Sequence, residues 1–83
     1  MDADQITTAK AKIKEAIADA CAKALIDIDS YTSMATSHPY ASPEDVERAI
    51  MTSRAAQDAV STIKSDALIK IDNIAKEMQT DNL

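Results

Sequence analysis

The chain has 83 residues, a length that allows one small domain. It contains no Gly, Phe or Trp, and the absence of Gly argues against tight β-hairpins and against the Gly-rich loops that hold nucleotides. Nine Lys and Arg residues stand against 14 Asp and Glu residues, a net charge of −5, so we expect no basic surface for nucleic acid.

The sequence shows no segment that is typical of membrane insertion or of a cleaved leader. No apolar run approaches the length of a membrane span, and the first residues, MDADQITTAKAK, are polar and begin acidic. We therefore expect either a cytoplasmic protein or one that is exported without a cleaved signal peptide. The single cysteine, Cys21, is typical of a small apolar residue beside a helix contact, and an intermolecular disulfide is the alternative.

The first predicted helix runs from about residue 5 to about residue 36, with Asp4 as its expected N-cap. Its apolar residues recur every three or four positions, which is the period of a helix and not of a strand. The Ser- and Thr-rich stretch 32–37 and Pro39 predict where this helix ends. The apolar stripe consists of Ile6, Ile13, Ile17, Ala20, Ala24, Ile28, Tyr31 and Ala35.

A loop is predicted at residues 37–42, because the next residues carry strong signals for a helix start. Ser42 is a good N-cap, Pro43 fits the first helical position, and an acidic residue at position 45 allows an imperfect capping box. Within the loop, His38 and Tyr40 are candidate contact residues for a partner, with an ordinary exposed turn as the alternative.

The second predicted helix runs from about residue 43 to about residue 79 and is followed by a flexible C-terminal tail. Its apolar stripe drifts slowly around the helix, which favours a coiled-coil-like supercoil. A break near residues 61–65, with Ser65 and Asp66 capping a third helix, is the alternative. The stripe consists of Val46, Ala49, Ile50, Ser53, Ala56, Val60, Ile63, Ala67, Ile71, Ile74 and Met78.

These elements predict an all-α fold, an antiparallel two-helix hairpin, with a three-helix bundle as the alternative. Folding back at the loop would place Ile28 near Ser53. Two helices cover each apolar stripe from one side only, so we expect the core to be completed by oligomerisation. Ile26, Met51 and Ile69 lie on the backs of the two stripes and predict a second contact face.

Residues that carry chemistry are sparse. The chain has one histidine, His38, without an adjacent nucleophile, and one cysteine, so no catalytic or zinc constellation is predicted. Asp27 and Asp29 diverge on a helix. We expect neither an enzyme, nor a cofactor or metal site, nor a small-molecule substrate.

Two short stretches of the second helix, Arg54-Ala55-Ala56-Gln57 and Ile63-Lys64-Ser65-Asp66, carry a family resemblance together with the two-helix layout around Pro39 and Pro43. The chain resembles the needle subunits of type III secretion systems, which have a Pro-x-x-Pro loop and Arg-Asn-x-Gln and Ile-Lys-Asp elements. Here the prolines are one residue further apart, the Asn is missing, Lys and Asp are split, and the C-terminal tail is longer. The Ala, Lys, Asp and Ile usage is also similar to that of helical repeat modules of bacterial surface proteins. The needle resemblance implies a subunit that polymerises through hairpin faces, is exported without a cleaved signal and has no catalytic residue.

The sequence therefore predicts a structural subunit that binds copies of itself through helical faces, forming an oligomer or filament. The alternative is a small acidic binding module, a chaperone, inhibitor or regulator, that holds a helix of another protein. The predicted interface consists of Ile6, Ile13, Ile17, Ile26, Ile28, Met51, Val60, Ile63, Ile69, Ile71 and Ile74.

Overall fold

The computed structural model describes residues 2–81 and contains two α-helices, α1 (Ala3–Ser37) and α2 (Pro43–Asp81). No strand occurs within the described residues. The helices run antiparallel as one thin layer, with Cα extents of 64 × 15 × 8 Å. The predicted all-α hairpin is therefore confirmed, and each helix is within about two residues of its predicted bounds.

The start of α1 differs from the prediction. Asp2, and not Asp4, is the N-cap: the Asp2 carboxylate accepts a hydrogen bond from the Gln5 backbone N–H at 2.8 Å, and the Gln5 side chain accepts one from the Asp2 N–H. This reciprocal capping box satisfies two backbone donors at once. Asp4 lies inside the first turn, where its negative charge still suits the helix dipole.

The turn between the helices is built without any residue at positive φ among the described residues. His38 ends α1 in an extended conformation, as expected for a residue before proline. The Ala41 N–H then donates to the His38 carbonyl at 3.0 Å, closing a turn with Pro39 in its second position. With all φ negative, this matches a type I turn, which explains how a chain without Gly folds back on itself.

A complete capping box starts α2. The Asp45 N–H donates to Ser42 Oγ at 3.1 Å, and the Ser42 N–H donates to Asp45 Oδ2 at 3.3 Å. Hydrogen bonding from Ser42 to the Asp45 carboxylate, first from the Ser42 backbone N–H and then from its side chain, lowers the pKa of Asp45 below its ordinary value of 3.8. The helix then continues without a break through residues 61–65, so the three-helix alternative is wrong. The predicted tail after residue 79 is helical as far as Asp81, and residues 82–83 lie outside the described residues.

The contact between α1 and α2, which we call the seam, is narrow. Among the described residues, Ile6, Ala49 and Ala75 are the buried apolar side chains, and Ser53 is the buried polar one. Large side chains are therefore mostly half-buried or exposed, and a single copy encloses little apolar core. The half-buried seam residues include Ile17, Cys21, Ala24, Ile28, Ile50, Ala56, Val60, Leu68 and Ile71.

Two polar contacts fix the register of the helices. The Thr32 and Ser53 hydroxyls are hydrogen-bonded across the seam, near the loop. The sequence had predicted that Ile28 lies near Ser53. The residue that contacts Ser53 is instead Thr32, one helical turn after Ile28. Toward the other end, Lys14 Nζ lies 2.7 Å from Asp72 Oδ1. Levels along the two helices can be counted from these contacts.

Candidate functional site

The predicted interface residues divide into two groups. Ile6 is buried in the seam, only 2% exposed. Four others are half-buried there: Ile17, Ile28, Val60 and Ile71. The remaining six are exposed: Ile13, Ile26, Met51, Ile63, Ile69 and Ile74.

The predicted stripes were too broad, because they combined the seam with residues beside it. Ile13, Ala20 and Tyr31 of α1 were placed in the stripe that faces α2, but all three are exposed. On α2 the same correction applies to Ile63, Ile74 and Met78. The physical reason is that two isolated helices touch along a narrow line, so residues about one-quarter turn to either side remain in solvent.

The ion pair between Lys14 and Asp72 shows which flanks of the two helices share a side of the layer. Ile13 and Lys14 are consecutive, so they lie on opposite flanks of the seam line on α1, which runs through Ile17 and Cys21. On α2, Asp72 follows the half-buried Ile71, whereas Ile74 precedes the buried Ala75. Because Lys14 and Asp72 meet on one side, Ile13 and Ile74 must share the other.

This other side is the apolar face, which we define by its six large apolar side chains. Ile13 and Tyr31 are 18 residues, or five full turns, apart on α1, and Ile63 and Ile74 are 11 residues, about three turns, apart on α2. Their side chains are between 40% and 74% exposed. The set consists of Ile13, Tyr31, Met34, Ile63, Ile74 and Met78.

The opposite side, the polar face, differs in chemistry. It carries the ion pair of Lys14 with Asp72 and a longer contact of Lys10 with the same carboxylate at 3.8 Å. The hydrogen bond from Lys14, the larger cause, and the charges of both lysines lower the pKa of Asp72 below 3.8. Leu25 is the large apolar residue exposed on this side. At 37%, it has the lowest exposure of the exposed large apolar residues in the described part of the chain.

The outer edges of the layer carry the three predicted back-face residues. Ile26 lies on the far side of α1, and Met51 and Ile69, five turns apart, lie on the far side of α2. They are therefore on opposite edges and do not form one surface within a hairpin. A shallow open depression next to Met51 is lined by the charged residues Glu44, Glu47 and Arg48 along one side of α2.

The loop residues form a small ordered tip. The Tyr40 N–H donates to His38 Nδ1 at 3.2 Å, and the two rings are tilted with centroids 5.8 Å apart. Tyr40 is 88% exposed. The two predicted loop contacts thus lie together at the end of the rod, about as far as possible from the N-terminal half of α1.

The residues that could bind a metal ion or react as a thiol are dispersed in the described part of the chain. Residues 2–81 contain no group of three or more His, Cys, Asp or Glu side chains placed to hold a metal ion. Cys21 is a free, half-buried thiol in the seam. Neither α1 nor α2 has a stretch that is apolar and long enough to cross a membrane.

Comparison of the chain with protein-family models, with curated proteins and with solved structures finds no match. The features that can be read for function are therefore those of the hairpin itself. Among them the apolar face carries the most large, exposed apolar side chains of the described residues.

Sequence reasoning missed two features, one in the seam and one on the apolar face. The pairing of Thr32 with Ser53 was not predicted, although Ser53 stood out as a polar residue within an apolar stripe. Met34 was not included in the predicted interface, although it lies three residues after Tyr31 on the same helix face. A separate search for a second apolar stripe beside the first would have found it.

Proposed function

We propose that the chain is a non-enzymatic structural subunit that self-assembles through its helical faces into an oligomer or filament. The observation that carries the proposal is the exposure of six large apolar side chains on one face of a hairpin in which only Ile6, Ala49 and Ala75 are buried apolar residues among those described. Scattered exposed apolar residues are ordinary, but six large ones on one face of so small a fold favour a surface that another protein covers.

Energetics supports the same proposal. Ordering each residue costs about 1 to 2 kcal/mol of conformational entropy, and burial of apolar surface is the main term that offsets it. A single layer of two helices buries few side chains completely, and Ser53 occupies one of those positions. Association with further helices would bury Ile63, now 64% exposed, and its neighbours on the apolar face.

A needle-like filament is one form that this assembly can take. The hairpin around a proline-containing turn and the resemblance of residues 54–57 and 63–66 to elements of type III secretion needle subunits support this form. The uncovered outer edges with Ile26, Met51 and Ile69 offer additional contacts through which a filament could grow.

Light scattering of the purified chain over a concentration series, with helicity measured on the same samples by circular dichroism, tests the proposal. We expect the mass to rise above the 8.9 kDa of one chain while helicity is kept or gained. Electron microscopy of the most concentrated sample distinguishes a filament from a closed oligomer. A fully helical monomer at millimolar concentration would contradict the proposal.

The second candidate is an acidic binding module that holds a helix of another protein. It is favoured by the soft seam, in which Ser53 and alanines take the buried positions, and by the net charge of −5. This candidate predicts a weakly helical free chain that gains helicity only when a basic amphipathic helix is added. Circular dichroism of the chain alone, at low and at high concentration, separates the two candidates.

A further inference from the structure

We propose that the basic unit of assembly is a pair of hairpins packed apolar face against apolar face, with their loops at opposite ends. This inference rests on the proposed function and adds to it which surface is used and how the copies are oriented. The occupant of the apolar face is thus a second copy of this chain, and the product is a closed four-helix arrangement with two-fold symmetry.

The distribution of exposed apolar side chains selects this face. Six large apolar residues project from it, whereas on the polar face Leu25 is the one exposed large apolar residue among residues 2–80. The polar face also holds the Lys14–Asp72 ion pair. Packing the apolar face on the polar face of another copy would bury the ion pair against isoleucines, which is unfavourable because both charges would lose water. Packing it on a second apolar face covers both apolar sets and leaves both ion pairs in solvent.

The area of the face is sufficient for a stable pair. The Cα atoms span 64 × 15 Å in the plane of the layer. A face of these dimensions offers on the order of 900 Å² per copy, against roughly 800 Å² per partner in a standard-size protein interface. The alanines between the large residues, such as Ala16 and Ala20, allow the facing helices to approach closely.

Charges on the face select the orientation. Asp27 lies four residues before Tyr31, and Lys70 lies four residues before Ile74, so each lies with the apolar face, and neither forms an ion pair within the described part of the chain. Counting from the Lys14–Asp72 contact, Lys70 is level with Ala16, so Asp27 and Lys70 lie on either side of the middle of the rod.

With loops at opposite ends, a two-fold axis at the level of Cys21 and Ala22 brings Asp27 to the level of the partner's Lys70, and the reverse. With loops at the same end, Asp27 would lie level with the partner's Asp27, and Lys70 would lie level with the partner's Lys70. Like charges would then share a level, which is unfavourable. The antiparallel orientation also brings Tyr31 to the level of the partner's Ile74. The acidic Asp2 and Asp45 lie at the extreme ends, where both are engaged in capping their helices.

Paired glutamate variants test which surface is used. Ile13→Glu with Ile63→Glu charges the apolar face. The matched control, Leu25→Glu with Ser61→Glu, adds the same two charges to the same two helices on the polar face, where Ser61 lies 11 residues, about three turns, before Asp72. Because a buried unpaired charge is costly, we expect the first variant to raise the dissociation constant of the pair at least about a hundredfold and the control to change it less than about threefold. Sedimentation equilibrium gives the constants, and circular dichroism shows that each variant remains helical.

Distance measurement on a chain with an intact apolar face tests the orientation. A spin label on Tyr40→Cys, in a Cys21→Ser background, sits at the loop tip, away from the face. Double electron–electron resonance should give a distance of roughly 50 to 60 Å for loops at opposite ends, against less than about 25 Å for loops at the same end, given the length of α2.

The outcomes separate the two levels of inference. If the unmodified chain stays monomeric, the proposed function itself is wrong. If the chain assembles but the apolar-face variant assembles as well as the control, or if the Tyr40→Cys labels lie close together, self-assembly stands and the face-to-face antiparallel pair is overturned. Loss of assembly in the apolar-face variant alone, together with the long distance, supports it.

Discussion

The two broad faces of the hairpin differ in chemistry although the same two helices build both. On one face Ile13, Ile63 and Ile74 are exposed, and on the other Lys14 is paired with Asp72 at 2.7 Å. A shift of one or two residues along each helix separates the two surfaces. The apolar pattern of such a helix therefore carries two kinds of information, one for the contact inside the chain and one for the surface beside it.

The largest expected effect distinguishes the two faces by removing one apolar side chain from each. In the antiparallel pair Ile63 lies close to the two-fold axis, in the middle of the covered face. Because the pair is symmetric, Ile63→Ala removes two buried side chains from it. We expect a loss of about 2 to 4 kcal/mol of association free energy, a weakening of roughly thirtyfold or more. Leu25→Ala on the polar face is the matched control, with less than about threefold change in sedimentation equilibrium. Equal effects of the two variants would remove the distinction between the faces.

A second prediction compares the seam with the apolar face through two isoleucines of α1. Ile6 is 2% exposed within the hairpin, so Ile6→Ala should lower the free energy of unfolding by about 2 kcal/mol. This value is near the lower limit for truncation of a buried isoleucine, because the first turn of α1 can relax around the smaller side chain. Ile13→Ala should have an effect that grows with protein concentration. Urea denaturation at two concentrations, followed by circular dichroism, measures both. A loss that does not depend on concentration in Ile13→Ala would place that residue in the fold of a single chain.

A third prediction provides a change that touches neither face. Ser42→Ala removes the hydroxyl that accepts the Asp45 N–H at the start of α2. We expect the hairpin to lose about 1 kcal/mol, as for other N-cap truncations, and the antiparallel pair to keep its symmetry and its distances. Thermal unfolding of Ser42→Ala beside Ser42→Asp, which restores a cap, checks this. An Ala variant as stable as the Asp variant would show that the cap does not contribute.

The smallest effect concerns the polar face and its dependence on pH. Lys14 and Lys10 lower the pKa of Asp72 in the folded chain, so the ionised pair stabilises the fold fully above the ordinary value of 3.8 and ceases to do so as the pH falls through the lowered folded value. Asp45 adds a contribution with the same sign through its bonds to Ser42. We expect Asp72→Asn to flatten the acid side of a stability–pH curve slightly and to reduce its dependence on salt, without changing assembly at neutral pH. An unchanged acid limb would contradict the role given to Lys14.

Local signals in the sequence were sufficient to predict the two helices and the turn between them. Ser42 and Pro43 fixed the start of α2 because a cap and a first-turn proline are short-range features. The start of α1 was misjudged, because Asp2 and Asp4 are both good caps and only Asp2 has Gln5 three residues later to complete the box. The continuity of α2 through residues 61–65 was also predicted, because no Pro or Gly interrupts the helical pattern there.

The candidate surface was predicted less well, for a geometric reason. A helical stripe read from spacing alone cannot separate Ile17, which faces α2, from Ile13, which lies beside the seam, because the two are only about 40° apart around the helix. The contacts of Thr32 with Ser53 and of Lys14 with Asp72 are needed to set the register and to decide which flanks share a side.

Thiol reactivity at two neighbouring positions tests most directly whether the apolar face is covered by another copy. Ala20 lies seven residues after Ile13 on the apolar face, and Ala22, two residues on, points away from it; both are exposed in the hairpin. In a Cys21→Ser background, we predict that the alkylation rate of Ala20→Cys falls as the protein concentration rises, while that of Ala22→Cys stays constant. Rates that remain equal and unchanged over the whole concentration range would contradict the account.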